Sequence, residues 1–227
     1  GLQMGEVQDR ENLLTALKQT LTPEALTVYF CIPIFGKIDE AKIYRKARRS
    51  GFEDAEIEAH LKKLKAEGFI ETLYGEDEGK YTRVLGAYVA ENQVRMKKGT
   101  ALGKRYAKYW MDLSQVSTYN LPTSTPYARV LAVTDTITPR QPGERIVINE
   151  EVADPREALP YDVVTDMVRE AEVIALAECY CRLSMEMAGE PCSHEKETCF
   201  LFDNVARSLM EIGVAHQVTV DEALVII

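Results

Sequence analysis

Apolar residues recur at three- and four-residue intervals through the first part of the chain, and glycines and capping residues divide the pattern into four segments. Leu13, Leu14 and Leu17 give the first segment one apolar face, as an amphipathic helix requires. Thr22 followed by Pro23 is a typical helix start, an N-cap with proline at the first helical position. The four predicted helices span residues 9–21, 23–35, 39–50 and 54–67.

Two β-prone segments follow, one on each side of a polar turn that is rich in glycine. Residues 69–74 and 81–85 carry β-branched and aromatic side chains, and the turn 75–79 lies between them, which predicts a hairpin. Helices followed by a two-stranded wing is the element order of a winged helix-turn-helix. The segment IEAHLKKLKAEGFIETL resembles the second helix and first wing strand of that fold. Such a likeness indicates fold and says little about function.

Beyond residue 86 helical and extended patterns alternate. Residues 87–118 have a helical pattern in which Tyr106, Tyr109 and Trp110 share one face, typical of a core or an interface. Prolines then mark a region of extended chain. The remaining predicted elements are strands at 129–133 and 145–148, a helix at 160–172, an apolar run at 173–177, a helix at 202–212, and a last helix with a capping box of Thr219 and Glu222.

These patterns predict an α+β chain in three parts. An N-terminal winged helix-turn-helix-like domain, 1–99, is joined by a helical connector, 100–125, to a smaller mixed α/β cysteine-bearing region, 126–227. The last helix stops at the apolar residues 224–227 without a cap. We therefore expect the chain to be a fragment whose longer parent continues beyond this point.

Charge and hydropathy limit the classes of function. The formal net charge of −9 falls entirely on residues 101–227, because residues 1–100 carry sixteen basic and sixteen acidic side chains. An acidic surface disfavours phosphate binding, so nucleic acid is a poor partner for this half. The sequence has no run of eighteen apolar residues and no secretory leader pattern, which predicts a cytoplasmic protein without a membrane span.

The cysteines are the strongest chemical feature. Cys31 stands alone on an apolar stretch, where a buried small side chain is expected. The other four follow the pattern Cys-x-Cys-x10-Cys-x6-Cys, at Cys179, Cys181, Cys192 and Cys199. Four thiolates are the usual ligands of an iron–sulfur cluster and of structural zinc. Zinc sites usually take cysteines in pairs two to four residues apart, so the spacing here favours a cluster and leaves zinc as the alternative.

Neighbouring residues fit a thiolate centre. Arg182 follows the close pair directly, where a cation in the second shell offsets the negative charge of the cluster. His194 lies between two of the cysteines and is a less favoured alternative ligand. Two disulfides or four inert thiols remain the other interpretations, although a reducing compartment and the strain of a Cys-x-Cys disulfide disfavour the first.

The cysteine segment AECYCRLSMEMAGEPCSHEKETCFLF resembles a family of ferredoxin-like 4Fe–4S-binding proteins from anaerobes. Three motifs carry the resemblance: Cys179-Tyr180-Cys181-Arg182, Gly189-Glu190-Pro191-Cys192 and Glu197-Thr198-Cys199-Phe200. It implies a 4Fe–4S rather than a 2Fe–2S cluster, electron transfer to a redox partner protein, and a role as the N-terminal module of a longer protein. The Cys-x2-Cys-x2-Cys-x3-Cys-Pro runs of the family's ferredoxin domain are absent from this sequence.

Two other functions remain open. The first is a redox-sensing winged-helix regulator, which would bind DNA through a basic patch on the third helix. The fourth helix, however, begins with carboxylates that would face the DNA phosphates, so DNA binding is disfavoured. The patch comprises Arg45, Lys46, Arg48 and Arg49. A zinc-stabilised protein-interaction module is the second alternative. The common nucleotide-binding and hydrolase motifs are missing, so an electron carrier is favoured over an enzyme, and a homodimer is left open.

Overall fold

The computed structural model describes residues 10–84, 86–115 and 164–227. The helices in these ranges are α1 (Arg10–Thr20), α2 (Pro23–Phe30), α3 (Glu40–Arg48), α4 (Asp54–Ala66), α5 (Gly86–Met96), α6 (Ala101–Gln115), α7 (Val164–Glu170), α8 (Tyr180–Ala188), α9 (Asp203–Glu211) and α10 (Val220–Ile226), with a short 3₁₀ turn at Gly75–Asp77. The strands are β1 (Ile38–Asp39), β2 (Ile70–Thr72), β3 (Lys80–Arg83), β4 (Ile174–Glu178), β5 (Glu197–Phe202) and β6 (Ala215–Val218).

Two small antiparallel sheets sit among these helices. The first has the strand order β1-β3-β2 and pairs Ile70 with Arg83. The second has the order β5-β4-β6, and its central residue Ile174 lies opposite Phe202 on one side and Val218 on the other. The chain is therefore a mixed α+β protein, as the sequence predicts.

The first sheet shares a core with α2, α3 and α4. One apolar face of each helix is directed inward, and Val28, Ile43, Ile57 and Leu64 are fully buried there together with Ile70 of β2. Gly68 adopts a left-handed conformation with φ +69° directly after α4, where a side chain would be strained. The predicted fourth helix and the hairpin after it are both confirmed.

Two helical predictions need correction. The second helix ends at Phe30 and not near Phe35, because Pro33 has no N–H and disfavours helical geometry in the residue before it. The helical pattern expected at 87–118 corresponds, within the described residues, to two helices, since Gly99 turns the chain at φ +75° and Thr100 directly precedes α6. The hydroxyl of Thr100 accepts a hydrogen bond from the Gly103 N–H at 3.0 Å.

A second core joins α1, α5 and α6 to α8. Tyr106 and Tyr109 are almost fully buried in it, beside Val94 of α5 and Leu183 of α8. The hydroxyl groups of Tyr106 and Thr20 hydrogen-bond at 2.8 Å inside this core. The sequence-based interpretation of the aromatic group as core is confirmed for the two tyrosines, and α8 is thereby attached to the N-terminal helices.

The second sheet carries the cysteine region. The apolar run predicted before Cys179 is β4, whose first four residues are buried. The predicted helix at 202–212 and the Thr219–Glu222 capping box are confirmed as α9 and the start of α10. The predicted strands 129–133 and 145–148 lie outside the described residues. Within the described ranges, no helix combines the length and the apolar character that a membrane span needs.

Candidate functional site

Three of the four clustered cysteines gather where β4 passes into α8. Cys179 is the N-cap of α8, and its backbone N–H donates to the carbonyl of Lys196 at 2.7 Å. Cys181 is the second residue of α8. Cys199 lies on β5 opposite Ala177 of β4, next to a register shift at Ala177 and Glu178. The strand–helix–strand connection thus brings together residues that are up to twenty positions apart in sequence.

Cys179 and Cys181 interact directly. A hydrogen bond from the Cys181 thiol, backbone N–H groups at the start of α8 and the charge of Arg182 lower the pKa of Cys179 to about 5. The same hydrogen bond, together with burial, raises the pKa of Cys181 above its ordinary range. Of the two sulfurs, Cys179 is the one on which negative charge is favoured, because it lies at the N-terminus of a helix.

Arg95 reaches the cysteines from α5, and sequence analysis missed it. Its Nη2 donates to the Cys199 sulfur at 3.3 Å, and its Nε donates to the Glu178 carbonyl at 2.9 Å. The guanidinium also lies 4.9 Å from the centre of the Tyr180 ring. Burial raises the pKa of Cys199, while Arg95 acts in the opposite direction. Arg95 is far from the cysteines in sequence, so no motif pointed to it.

Cys192 lies apart from the other three. It is exposed in the loop 189–196, and its sulfur lies 3.3 Å from Nδ1 of His194. Within the described residues, no group of three or more His, Cys, Asp or Glu side chains is arranged to hold a metal ion. All five cysteines of the chain fall in the described ranges, and each is a free thiol.

Arg182, expected to offset the charge of a cluster, also holds the end of the loop. Its Nη1 donates to the carbonyl of Glu195 and to the hydroxyl of Thr198. Gly189 ends α8 in a left-handed conformation with φ +92°. These contacts fix both ends of the loop that carries Cys192 and leave its middle in solvent.

The partly buried carboxyl group of Glu91 lies close to Cys179 and Cys181. Burial raises the pKa of Glu91 to about 7, although hydrogen bonds from Tyr180 and Trp110 and the charge of Arg95 act in the opposite direction. Tyr180 lies between Cys179 and Cys181 in sequence. The ionisable groups of α5 are therefore in electrostatic contact with the thiols of α8.

A groove of about 910 Å³ opens beside Arg95 and the loop that carries Cys192. Its lining includes Arg95, Lys98, Glu178, His194 and His216. His216 pairs with Glu197 at 3.3 Å between Nδ1 and Oε1, and His60 packs against Phe52, so both have ordinary structural contacts. Cys31 is buried in the first core, which confirms its interpretation as a small core side chain.

No known family, curated protein or solved structure matches this chain at a significant level. The resemblance to ferredoxin-like 4Fe–4S-binding proteins therefore stays a prediction.

Proposed function

We propose that the chain binds an iron–sulfur cluster, 4Fe–4S in preference to 2Fe–2S, through Cys179, Cys181, Cys192 and Cys199, and exchanges electrons with a partner protein. The observation that carries the proposal is the meeting of three cysteines at the β4–α8–β5 junction. Thiolates are soft donors suited to iron in a sulfide cage. Three cysteines at one junction and a fourth on an adjacent exposed loop supply the four thiols that such a donor set requires.

Each residue of the junction has a role in this proposal. A bound cluster supplies a reversible store for one electron. Cys179, at the start of α8, is the proposed ligand whose pKa is lowered by the Cys181 thiol and the neighbouring backbone N–H groups, which favours the thiolate that a metal binds. Cys192 completes the ligand set from the solvent side, and His194 beside it remains the alternative ligand. Because Cys192 is exposed, a redox partner could approach the site from the solvent side.

We also infer that residues 23–84 form a winged helix. The element order α2-β1-α3-α4-β2-β3 and the sheet order β1-β3-β2 support this interpretation. We propose that this winged helix docks on a protein and does not bind DNA. Arg48 of the basic patch is paired with Asp54 at 2.7 Å, and Asp54 and Glu56 place negative charge at the start of α4.

Anaerobic reconstitution with iron and sulfide tests the cluster. The protein should turn brown, bind about four iron and four sulfide ions per chain, and bleach on reduction. Serine at any of the four cysteine positions should lower iron content, whereas Cys31→Ala, which removes a thiol far from the junction, should leave it unchanged. A colourless protein with one tightly held zinc ion would support the zinc module instead. Duplex DNA binding that depends on salt and on redox state would support the regulator.

A further inference from the structure

Arg95 is the basic side chain that α5 extends into the cysteine junction. Only 6% of its surface is exposed, so its charge is removed from most of the solvent. Its three contacts are different in kind: a sulfur atom of Cys199, a backbone carbonyl of Glu178 and the aromatic face of Tyr180. A buried guanidinium held by groups from β4, α8 and β5 can adopt few other positions.

The backbone that carries Arg95 is also held in place. The Gln93 amide donates to the Glu67 carbonyl at 2.6 Å, and the Asn92 amide donates to the Gly68 carbonyl at 3.2 Å. Lys97 pairs with Glu67 at 3.0 Å. These contacts bind α5 and the turn that follows it to the end of α4. Arg95 is therefore presented to the cysteines from a fixed helix.

Within the described residues no salt bridge joins an acid to this guanidinium, although Glu91 on the same helix interacts with its charge, and its one sulfur contact is Cys199. Hydrogen bonds and positive charge directed at cluster sulfurs are among the main determinants of reduction potential, because they stabilise the more negative reduced state. Arg182 serves a different purpose, since its hydrogen bonds go to Glu195 and Thr198.

We infer that Arg95 is a positioning residue of the cysteine centre: it orients the Cys199 sulfur and raises the reduction potential of the centre. The inference rests on the proposed function. It assigns to the N-terminal half of the chain a direct part in setting the redox property of a site whose ligands all lie in the C-terminal part. Arg95→Lys keeps the charge, but an ammonium group has no planar fork with which to hold Cys199 and Glu178 together.

The test is a redox titration of reconstituted protein under anaerobic conditions. The variants are R95Q, which removes the charge, R95K, which keeps it, and R169Q, a control that removes one exposed positive charge from α7. We expect R95Q to take up iron and sulfide and to show a lower midpoint potential than the unmodified protein. R95K should show a smaller shift in the same direction, and R169Q should show none.

The outcomes separate the two proposals. Full cluster uptake with the same potential in R95Q and in the unmodified protein would overturn the role of Arg95 and leave the cluster in place. An equal shift in R169Q and R95Q would also overturn it, since the effect would then be one of net charge alone. If R95Q does not fold, the midpoint potential of R95K is compared with that of the unmodified protein instead. Failure of the unmodified protein to take up iron and sulfide would overturn the proposed function and this inference together.

Discussion

The indole ring of Trp110 packs edge-on against the phenol ring of Tyr180, with the ring centres 4.9 Å apart. Trp110 belongs to α6, and Tyr180 is the residue between Cys179 and Cys181. The cysteine pair is therefore attached to the helical core through an aromatic contact as well as through Arg95. Edge-to-face pairs of this kind stabilise a fold beyond the apolar area that they bury.

Trp110→Ala should destabilise the chain by about 2–3 kcal/mol, because it removes a large, partly buried ring and its contact with Tyr180 of α8. Chemical denaturation followed by far-UV circular dichroism measures the change. Phe35→Ala is the matched control, since the Phe35 ring is 68% exposed, and it should cost no more than about 0.5 kcal/mol. Equal losses in the two variants would show that the Trp110–Tyr180 contact adds nothing to stability.

Glu91 should make the stability of the fold depend on pH. Its pKa is about 7 in the fold, against a usual value of 4.5, chiefly because of burial. Below pH 4.5 the carboxyl group is protonated in both states. Between pH 4.5 and 7 the unfolded chain releases the proton and the fold retains it, so the free energy of unfolding falls as pH rises and levels off above pH 7. The fall attributable to Glu91 is about 3 kcal/mol.

Glu91→Gln isolates this contribution, because the amide keeps the shape of the side chain and does not titrate. Denaturant titrations at half-unit intervals between pH 4.5 and 8 compare the two proteins. The difference in unfolding free energy should grow across the window in favour of the variant. Parallel curves for the two proteins would mean that Glu91 ionises in the fold at its ordinary pKa.

Arg182→Gln should loosen the end of the loop that carries Cys192. The guanidinium donates to the Glu195 carbonyl and the Thr198 hydroxyl, and losing these bonds should cost about 1–2 kcal/mol. Hydrogen exchange should become faster for the amides of residues 195–199. Arg169→Gln breaks an exposed pair with Asp166 and should change stability by less than about 0.5 kcal/mol. Unchanged exchange in the loop would mean that Arg182 does not restrain it.

Local signals in the sequence predicted local structure well. The Thr219–Glu222 capping box and the Gly68 stop after α4 involve residues within a few positions of each other, and both are confirmed. Strand β6 was missed, because two of its four residues are exposed and its identity depends on pairing with β4, about forty residues earlier. Helix α8 was missed as well, since residues 180–188 make too few turns for an apolar period to stand out from the loop that follows.

The candidate site was predictable only in part. Spacing identified the four cysteines, but residue counts do not give the direction in which a loop projects, and Cys192 is exposed on such a loop. Arg95 lies more than eighty residues before Cys179, and only the packing of α5 against α8 brings it near. Long-range contacts of this kind cannot be predicted from the residues next to either partner in the sequence.

Gly68→Ala should disturb the link between α4 and α5 more than ordinary backbone strain explains. A Cβ atom at Gly68 would lie 2.8 Å from Nδ2 of Asn92, the group that donates to the Gly68 carbonyl. Gly79→Ala is the control, because Gly79 has a similar φ of +77° and a Cβ atom there would meet no other atom within 4 Å. Gly79→Ala should lower the free energy of unfolding by about 1–2 kcal/mol, through backbone strain alone.

The displaced amide and its lost hydrogen bond should raise the cost of Gly68→Ala by about another 1–2 kcal/mol. Denaturation curves of both variants give the two losses of unfolding free energy. Because Asn92 and Arg95 lie on the same helix, the Gly68 variant should also shift the midpoint potential of a reconstituted centre, whereas the Gly79 variant should not. Equal destabilisation by the two substitutions would mean that Asn92 moves aside freely, and that α5 is not held by its contact with the end of α4.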